Sequence, residues 1–124
     1  MPAFINQALS GEPLTVFGDG KQTRSFCYVS DLVRGINLLM ESNLNTPCNI
    51  GNPHELTMLE LAEYINQFTG NEAGVVHKEL PQDDPTQRKP DISLAKQCLN
   101  WEPCVTFEQG VSNTVEWFKN GNVN

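Results

Sequence analysis

Apolar positions recur along this chain at two spacings, and the switches between them predict short strands alternating with helices. Phe4 to Leu9 reads as the tail of a helix stopped by Gly11 and Pro13. Leu14 to Phe17 is a short extended run, followed by the turn Gly18-Asp19-Gly20. Arg24 to Val29 predicts a second strand, and the two runs together suggest a hairpin-like unit. A helix is expected from Ser30 as N-cap, with Asp31 in its first turn, where a negative charge suits the helix dipole. Leu32, Val33, Ile36, Leu39 and Met40 follow helical spacing on it, and Cys48 to Gly51 reads as a brief strand.

The next helix carries the clearest start signal. Thr57 and Glu60 have capping-box spacing, and Leu56 is placed to staple onto Leu61. Met58, Leu61, Ala62, Ile65 and Phe68 share one face, and Gly70 supplies a left-handed stop. Val75 to Leu80 reads as a strand. The segment from Pro81 to Pro90 holds three prolines, which exclude helix and favour an ordered extended loop. Ser93 opens a short helix through Leu99, and Trp101 is expected to cover an edge of the core. A second box, Thr106 and Gln109, opens a last helix with Val111, Val115 and Phe118 on one side. With the apolar stripes taken as core faces, the pattern is an α/β chain of short strands and packed helices, read as one unit over residues 1–124.

Composition narrows the function classes. The chain has 124 residues, 39% hydrophobic and 19% charged, which suits one folded domain. Fifteen acidic and eight basic side chains give a net charge of -7, a field that repels nucleic acid and anionic membranes but leaves room for a local basic pocket. No apolar run is long enough for a membrane helix. Cys27, Cys48, Cys98 and Cys104 form no C-x-x-C pair, and His54 and His77 are isolated, so neither a zinc site nor a disulfide scaffold is expected. Such thiols fit a reducing compartment, and a cytoplasmic setting is expected.

Catalytic constellations are nearly missing from the sequence. There is no G-x-G-x-x-G loop, and neither Tyr28 nor Tyr64 has a lysine four residues on. Asp83 and Asp84 read as a solvated charge pair rather than an acid/base dyad. What remains is anion binding. Arg24 follows a Gly-rich turn, Arg88 lies in the proline-stiffened loop, and Phe17 ends a strand, a set suited to a stacked base and a phosphate. Surface salt bridges are the plainer reading of both arginines.

The run from Gly11 to Val33, with Asn49-Ile50-Gly51-Asn52-Pro53, Glu55 to Ala62, Asp83 to Ile92 and Leu99 to Pro103, resembles the C-terminal part of extended short-chain dehydrogenases/reductases acting on nucleotide sugars. The resemblance runs from Phe4 to Phe118. It implies two lobes. One is a Rossmann lobe, absent from this chain, with the NAD-binding glycines and the catalytic Tyr-x-x-x-Lys; the other is the substrate-binding lobe seen here. By position, Thr15 to Arg24 would line the nucleotide site. Val16 and Phe17 would contact uracil, Gln22 would add a polar contact, and Arg24 would meet the diphosphate. Arg88 would sit at the sugar, where electrostatic stabilisation suits an arginine better than proton donation.

The segment Asp83 to Asp91 leans the resemblance toward conversion of UDP-glucuronate to UDP-xylose and CO2. In that chemistry the family's NAD oxidises C4 of the sugar to a ketone, the carboxylate β to it leaves as CO2, and the hydride returns to C4. A 4,6-dehydratase or 4-epimerase lobe is the alternative within the class, and a stand-alone non-catalytic binding or assembly module the alternative outside it. The resemblance further implies a homodimeric whole protein, a UDP-sugar ligand, and no NAD binding or turnover by this chain alone.

Overall fold

The computed structural model describes residues 1–79 and 90–121. In chain order it contains α1 (Pro2–Leu9), β1 (Leu14–Phe17), β2 (Thr23–Ser25), α2 (Val29–Glu41), β3 (Glu55–Thr57), α3 (Met58–Thr69), β4 (Val75–Lys78), α4 (Ser93–Leu99) and α5 (Phe107–Lys119). The described residues gather into two compact units: 1–23, 56–79 and 111–121 form the first, and 24–55 and 90–110 the second.

In the first unit β1 and β4 pair in parallel, with Leu14 opposite Val75 and Phe17 opposite Lys78. Parallel neighbours need a crossover, and α3 lies in the chain between them. Burial alternates along β1: Leu14 and Val16 point into the core, whereas Thr15 and Phe17 point away from it. Ile5 of α1, Leu61 and Ile65 of α3, and Val111 and Val115 of α5 complete that core. The Thr57–Glu60 capping box forms in both directions, at 3.0 and 2.8 Å, and Gly70 ends α3 at φ 72°. Thr106 Oγ1 accepts the Gln109 N–H, so the start of α5 is also as expected.

The hairpin expectation does not hold. β1 pairs with β4, and β2 pairs with β3. The Gly18 N–H donates to Lys78 O at 2.6 Å, extending the β1–β4 ladder, while the amides of Met58 and Leu59 take the carbonyls of Gln22 and Gly20. The turn is thus drawn to the start of α3 rather than back along β1. Cys48 to Gly51 is not a strand either, and β2 stops at Ser25.

The second unit holds the largest departure. On α2 the buried stripe is Asp31, Gly35 and, partly, Leu38 and Leu39. The apolar stripe read as core is turned outward: Val33 is 49% exposed, Ile36 44% and Met40 78%. A close approach at Gly35 fixes this rotation, since a Cβ there would stand 2.6 Å from Ile50 and 3.1 Å from Trp101 Nε1. Trp101 is fully buried with Ile92, Ala95 and Leu99, at the centre of that core rather than its edge. Helix α2 starts at Val29 with Tyr28 as N-cap, so Ser30 is not the cap.

Asp31, buried within α2, ties the unit together. Its carboxylate accepts the amides of Val105 (2.9 Å) and Cys104 (3.1 Å), the Cys104 thiol (3.1 Å) and Arg34 (3.4 Å). Its carbonyl accepts Trp101 Nε1 at 3.0 Å. Burial alone would raise the Asp31 carboxyl, but the amide of Val105, the thiol and amide of Cys104 and Arg34 outweigh it and hold it below the usual carboxylate value. A depressed carboxyl contributes stability above its unfolded value, near 4, and loses it as pH falls through that value toward the folded one. Asp31→Asn is therefore expected to lower unfolding free energy at pH 7 by about 3 kcal/mol. Thermal unfolding followed from pH 7 to pH 3 should show the gap to the parent chain closing below about pH 4.

Candidate functional site

Strand β1 and the turn after it carry most of the residues singled out in the sequence. Thr15 is fixed from both sides by Gln7 of α1: Gln7 Nε2 donates to Thr15 Oγ1 and the Thr15 N–H to Gln7 Oε1, each at 3.1 Å. Val16 is 1% exposed, so its side chain belongs to the core and any contact it makes with a ligand runs through its backbone. Phe17 is 44% exposed and presents a flat apolar face, with Lys78 its partner in the strand register. Gln22 is buried, and its Nε2 donates to Phe17 O at 3.1 Å, so its side chain holds the turn together.

Around these residues four backbone carbonyls are tied down. Phe17 O takes Gln22, Gly18 O lies 2.8 Å from His77 Nδ1, Gly20 O takes the Leu59 amide and Gln22 O the Met58 amide. Asp19 Oδ1 accepts the Lys21 N–H at 2.9 Å, closing an Asx turn. Gly20 has φ 75°, and a Cβ there would stand 2.8 Å from Val16 Cγ1 and 2.9 Å from Leu59 Cβ. The result is a stiff frame for one exposed ring, the arrangement stacking requires.

Arg24 lies in β2, partly buried, in the second unit. Arg88 lies outside the described residues, as do Asp83 and Asp84. Pro90, two residues after Arg88, stands against Gly51, where a Cβ would be 3.0 Å from Pro90 Cγ. The two form part of an open groove of about 470 Å³ with Ser25, Cys27, Leu32 and Ile50 in the same unit. Burial, then the Asp31 charge, raises the Cys27 thiol, and the hydrogen bond to Asp31 raises that of Cys104. Both thiols are poor nucleophiles as a result. Among the described residues no group of three or more His, Cys, Asp or Glu is placed to hold a metal, and no helix is long and apolar enough to cross a membrane.

A dinucleotide would need a glycine-rich strand-to-helix turn with unused amides at the helix start. The helix after the Gly18–Gly20 turn and β3 does not offer this. At α3 the first three amides, of Met58, Leu59 and Glu60, go to Gln22 O, Gly20 O and Thr57 Oγ1. This junction does not fit NAD, and no step through NAD is assigned to it.

The first unit thus presents an exposed aromatic, Phe17, at the end of a parallel strand pair backed by helices. Residues 1–51 of this chain match the NAD-dependent epimerase/dehydratase family. Among individual proteins it is 49% identical over 116 residues to UDP-glucuronic acid decarboxylase 1 of Xenopus tropicalis, covering 94% of this chain and 28% of that protein. It is 53% identical over 116 residues to UDP-glucuronic acid decarboxylase 3 of Arabidopsis thaliana, covering 94% of this chain and 34% of that protein. The chain thus spans about a third or less of the curated relatives it matches. A UDP-glucose 4-epimerase from Thermotoga maritima, solved with UDP-glucose, superposes with a TM-score of 0.91 at 36% identity, over 95% of this chain and 38% of that one. UDP-glucuronic acid 4-epimerase from Bacillus cereus, solved with UDP-glucuronic acid and NAD, gives 0.89 at 30%, over 98% of this chain and 40% of that one.

His77 of β4 is the contact of this turn that sequence reasoning had no ground to select. It stands alone in the sequence, and only its pairing across the sheet brings it to Gly18. The steric reading of Gly20 is testable against Gly11, which has φ 74° but open space around a Cβ. Both alanine variants should lose about 1 kcal/mol to the left-handed backbone. Gly20→Ala should lose about 1–3 kcal/mol more from overpacking, read as a lower denaturation midpoint in urea.

Proposed function

We propose that this chain is the nucleotide-sugar-binding part of an NAD-dependent enzyme converting UDP-glucuronate to UDP-xylose and CO2. The observation that carries this is identity of about half, along 94% of the chain, to decarboxylases from a frog and a plant. The epimerases of known structure stand at 36% and 30%. In this reading Phe17 stacks on the uracil, Thr15 and Gln22 keep its strand and turn in place, the Val16 backbone lies beside the base, and Arg24 binds the diphosphate. Arg88 stabilises negative charge at the sugar once C4 is a ketone and the carboxylate departs, the electron pair passing into an enolate.

The residues that hold NAD belong, in this proposal, to the remainder of the polypeptide. The outward apolar stripe of α2, Val29, Val33, Ile36 and Met40, supports a covering lobe of that kind. The four free thiols support a reducing, cytoplasmic compartment. The whole protein is proposed to be a homodimer by resemblance alone.

The direct test is release of CO2 from UDP-glucuronate by the full-length protein; a 4-epimer formed without CO2 would favour the epimerase alternative. In that protein Arg88→Ala and Arg88→Lys should both lower kcat by roughly 10²-fold with little change in UDP affinity, since an ammonium does not reproduce the guanidinium fork. Arg24→Ala should instead weaken UDP binding by about 1.5–3 kcal/mol. This chain by itself should bind no NAD in calorimetry at micromolar concentration and release no CO2.

A further inference from the structure

Two side chains act on consecutive carbonyls of the turn that carries Phe17. Gln22 Nε2 reaches Phe17 O at 3.1 Å, and His77 Nδ1 reaches Gly18 O at 2.8 Å. These carbonyls belong to the two peptide planes flanking Gly18, whose φ is 63°. Planes beside a glycine are the easiest in a chain to rotate, because no Cβ restricts them. The plane between Phe17 and Gly18 is attached directly to the backbone of the exposed ring. Its rotation would re-aim that ring.

His77 reaches this position through the register of the sheet. It lies opposite Val16 in the parallel β1–β4 pair, one residue before Lys78, whose carbonyl takes the Gly18 amide. A single strand end thereby holds Gly18 at both its N–H and its C=O. A carbonyl only accepts, so the bonding nitrogen, Nδ1, carries the hydrogen. His77 is exposed and adds little to the core, so this bond is its one described contribution to the turn.

We infer that His77 is a positioning residue for nucleotide binding: its Nδ1–H holds the Gly18 carbonyl, and through it the Phe17 ring, in the orientation that takes a base. The inference rests on the proposed role of β1 and its turn as the nucleotide site. His77 touches the turn backbone and is not assigned any contact with substrate.

Asparagine and glutamine separate this role from a general one. The Nδ2 of asparagine occupies nearly the place of histidine Nδ1, whereas glutamine places its amide nearer the position of Nε2. UDP binding by calorimetry to the full-length protein is therefore compared for His77→Asn, His77→Gln and Phe17→Ala, with melting temperatures recorded alongside. The expected result is that His77→Gln weakens UDP about five- to tenfold, His77→Asn stays within about twofold of the parent, and Phe17→Ala weakens it tenfold or more, the scale of lost stacking on a base. If Phe17→Ala weakens binding but His77→Gln does not, the positioning role is overturned while the nucleotide site stands. Equal losses in the asparagine and glutamine variants would also overturn it, because the Nδ1 bond would not be the cause. An unchanged affinity in Phe17→Ala overturns the nucleotide reading itself.

Discussion

The Asp31 carboxylate sits where water does not reach, and it is tolerable there because amides, a thiol and a guanidinium surround it. That constraint fixes which side of α2 faces inward. The segment after Trp101 must come to the carboxylate with two consecutive amides aligned, and Trp101 must lie where its Nε1 meets the carbonyl of the same residue. Gly35, one turn further on, allows the close approach this requires. Arg34 then spans the carboxylate, the Glu102 carbonyl and the Trp101 ring, 5.6 Å from its centroid. With Asp31 and Gly35 inward, the apolar stripe of α2 has to face outward.

That stripe marks the limit of what the sequence could say. Helical period shows that Leu32, Val33, Ile36 and Met40 share a face; it does not show whether residues of this chain cover it. On α3 and α5 the same reasoning holds for Leu61, Ile65, Val111 and Val115, which are buried in the first unit, but not for Phe68, which is 43% exposed at the end of α3. Signals confined to a few residues were readable: the reciprocal bonds of Thr57 and Glu60, the left-handed Gly70, the bounds of α4. Pairing was not. β1 meets β4 across some sixty residues, and a turn rich in glycine next to a strand reads as a hairpin unless the competing amides of Met58 and Leu59 are known. Asp31 looked like a dipole residue because its partners lie more than seventy positions away.

The candidate site shows the same division. Thr15, Phe17 and Gln22 could be selected by resemblance to nucleotide-sugar enzymes, but what each does in the fold differs. Phe17 is presented, while Gln22 is buried and serves the turn. A glutamine two residues past a Gly-x-Gly turn looks like a ligand contact or a brace with equal ease; only the 3.1 Å bond to Phe17 O separates them. His77 was beyond reach for the opposite reason. It has no neighbouring motif, and its meaning comes wholly from strand register.

The turn and the first turn of α3 depend on one another. A helix start leaves amides without partners, and here two of them are answered by carbonyls of the loop that displays Phe17, the third by Thr57. The usual attraction of a helix start for an anion is therefore spent inside the protein. What it provides is rigidity in the loop, which favours a stacking ring because less freedom is lost when a base arrives. In the proposed nucleotide reading, recognition by this unit is apolar and shape-based, from an aromatic on a braced strand end. In the same proposal, charge recognition has to come from side chains carried elsewhere, and the net charge of -7 makes well-placed arginines the more necessary for an anionic nucleotide.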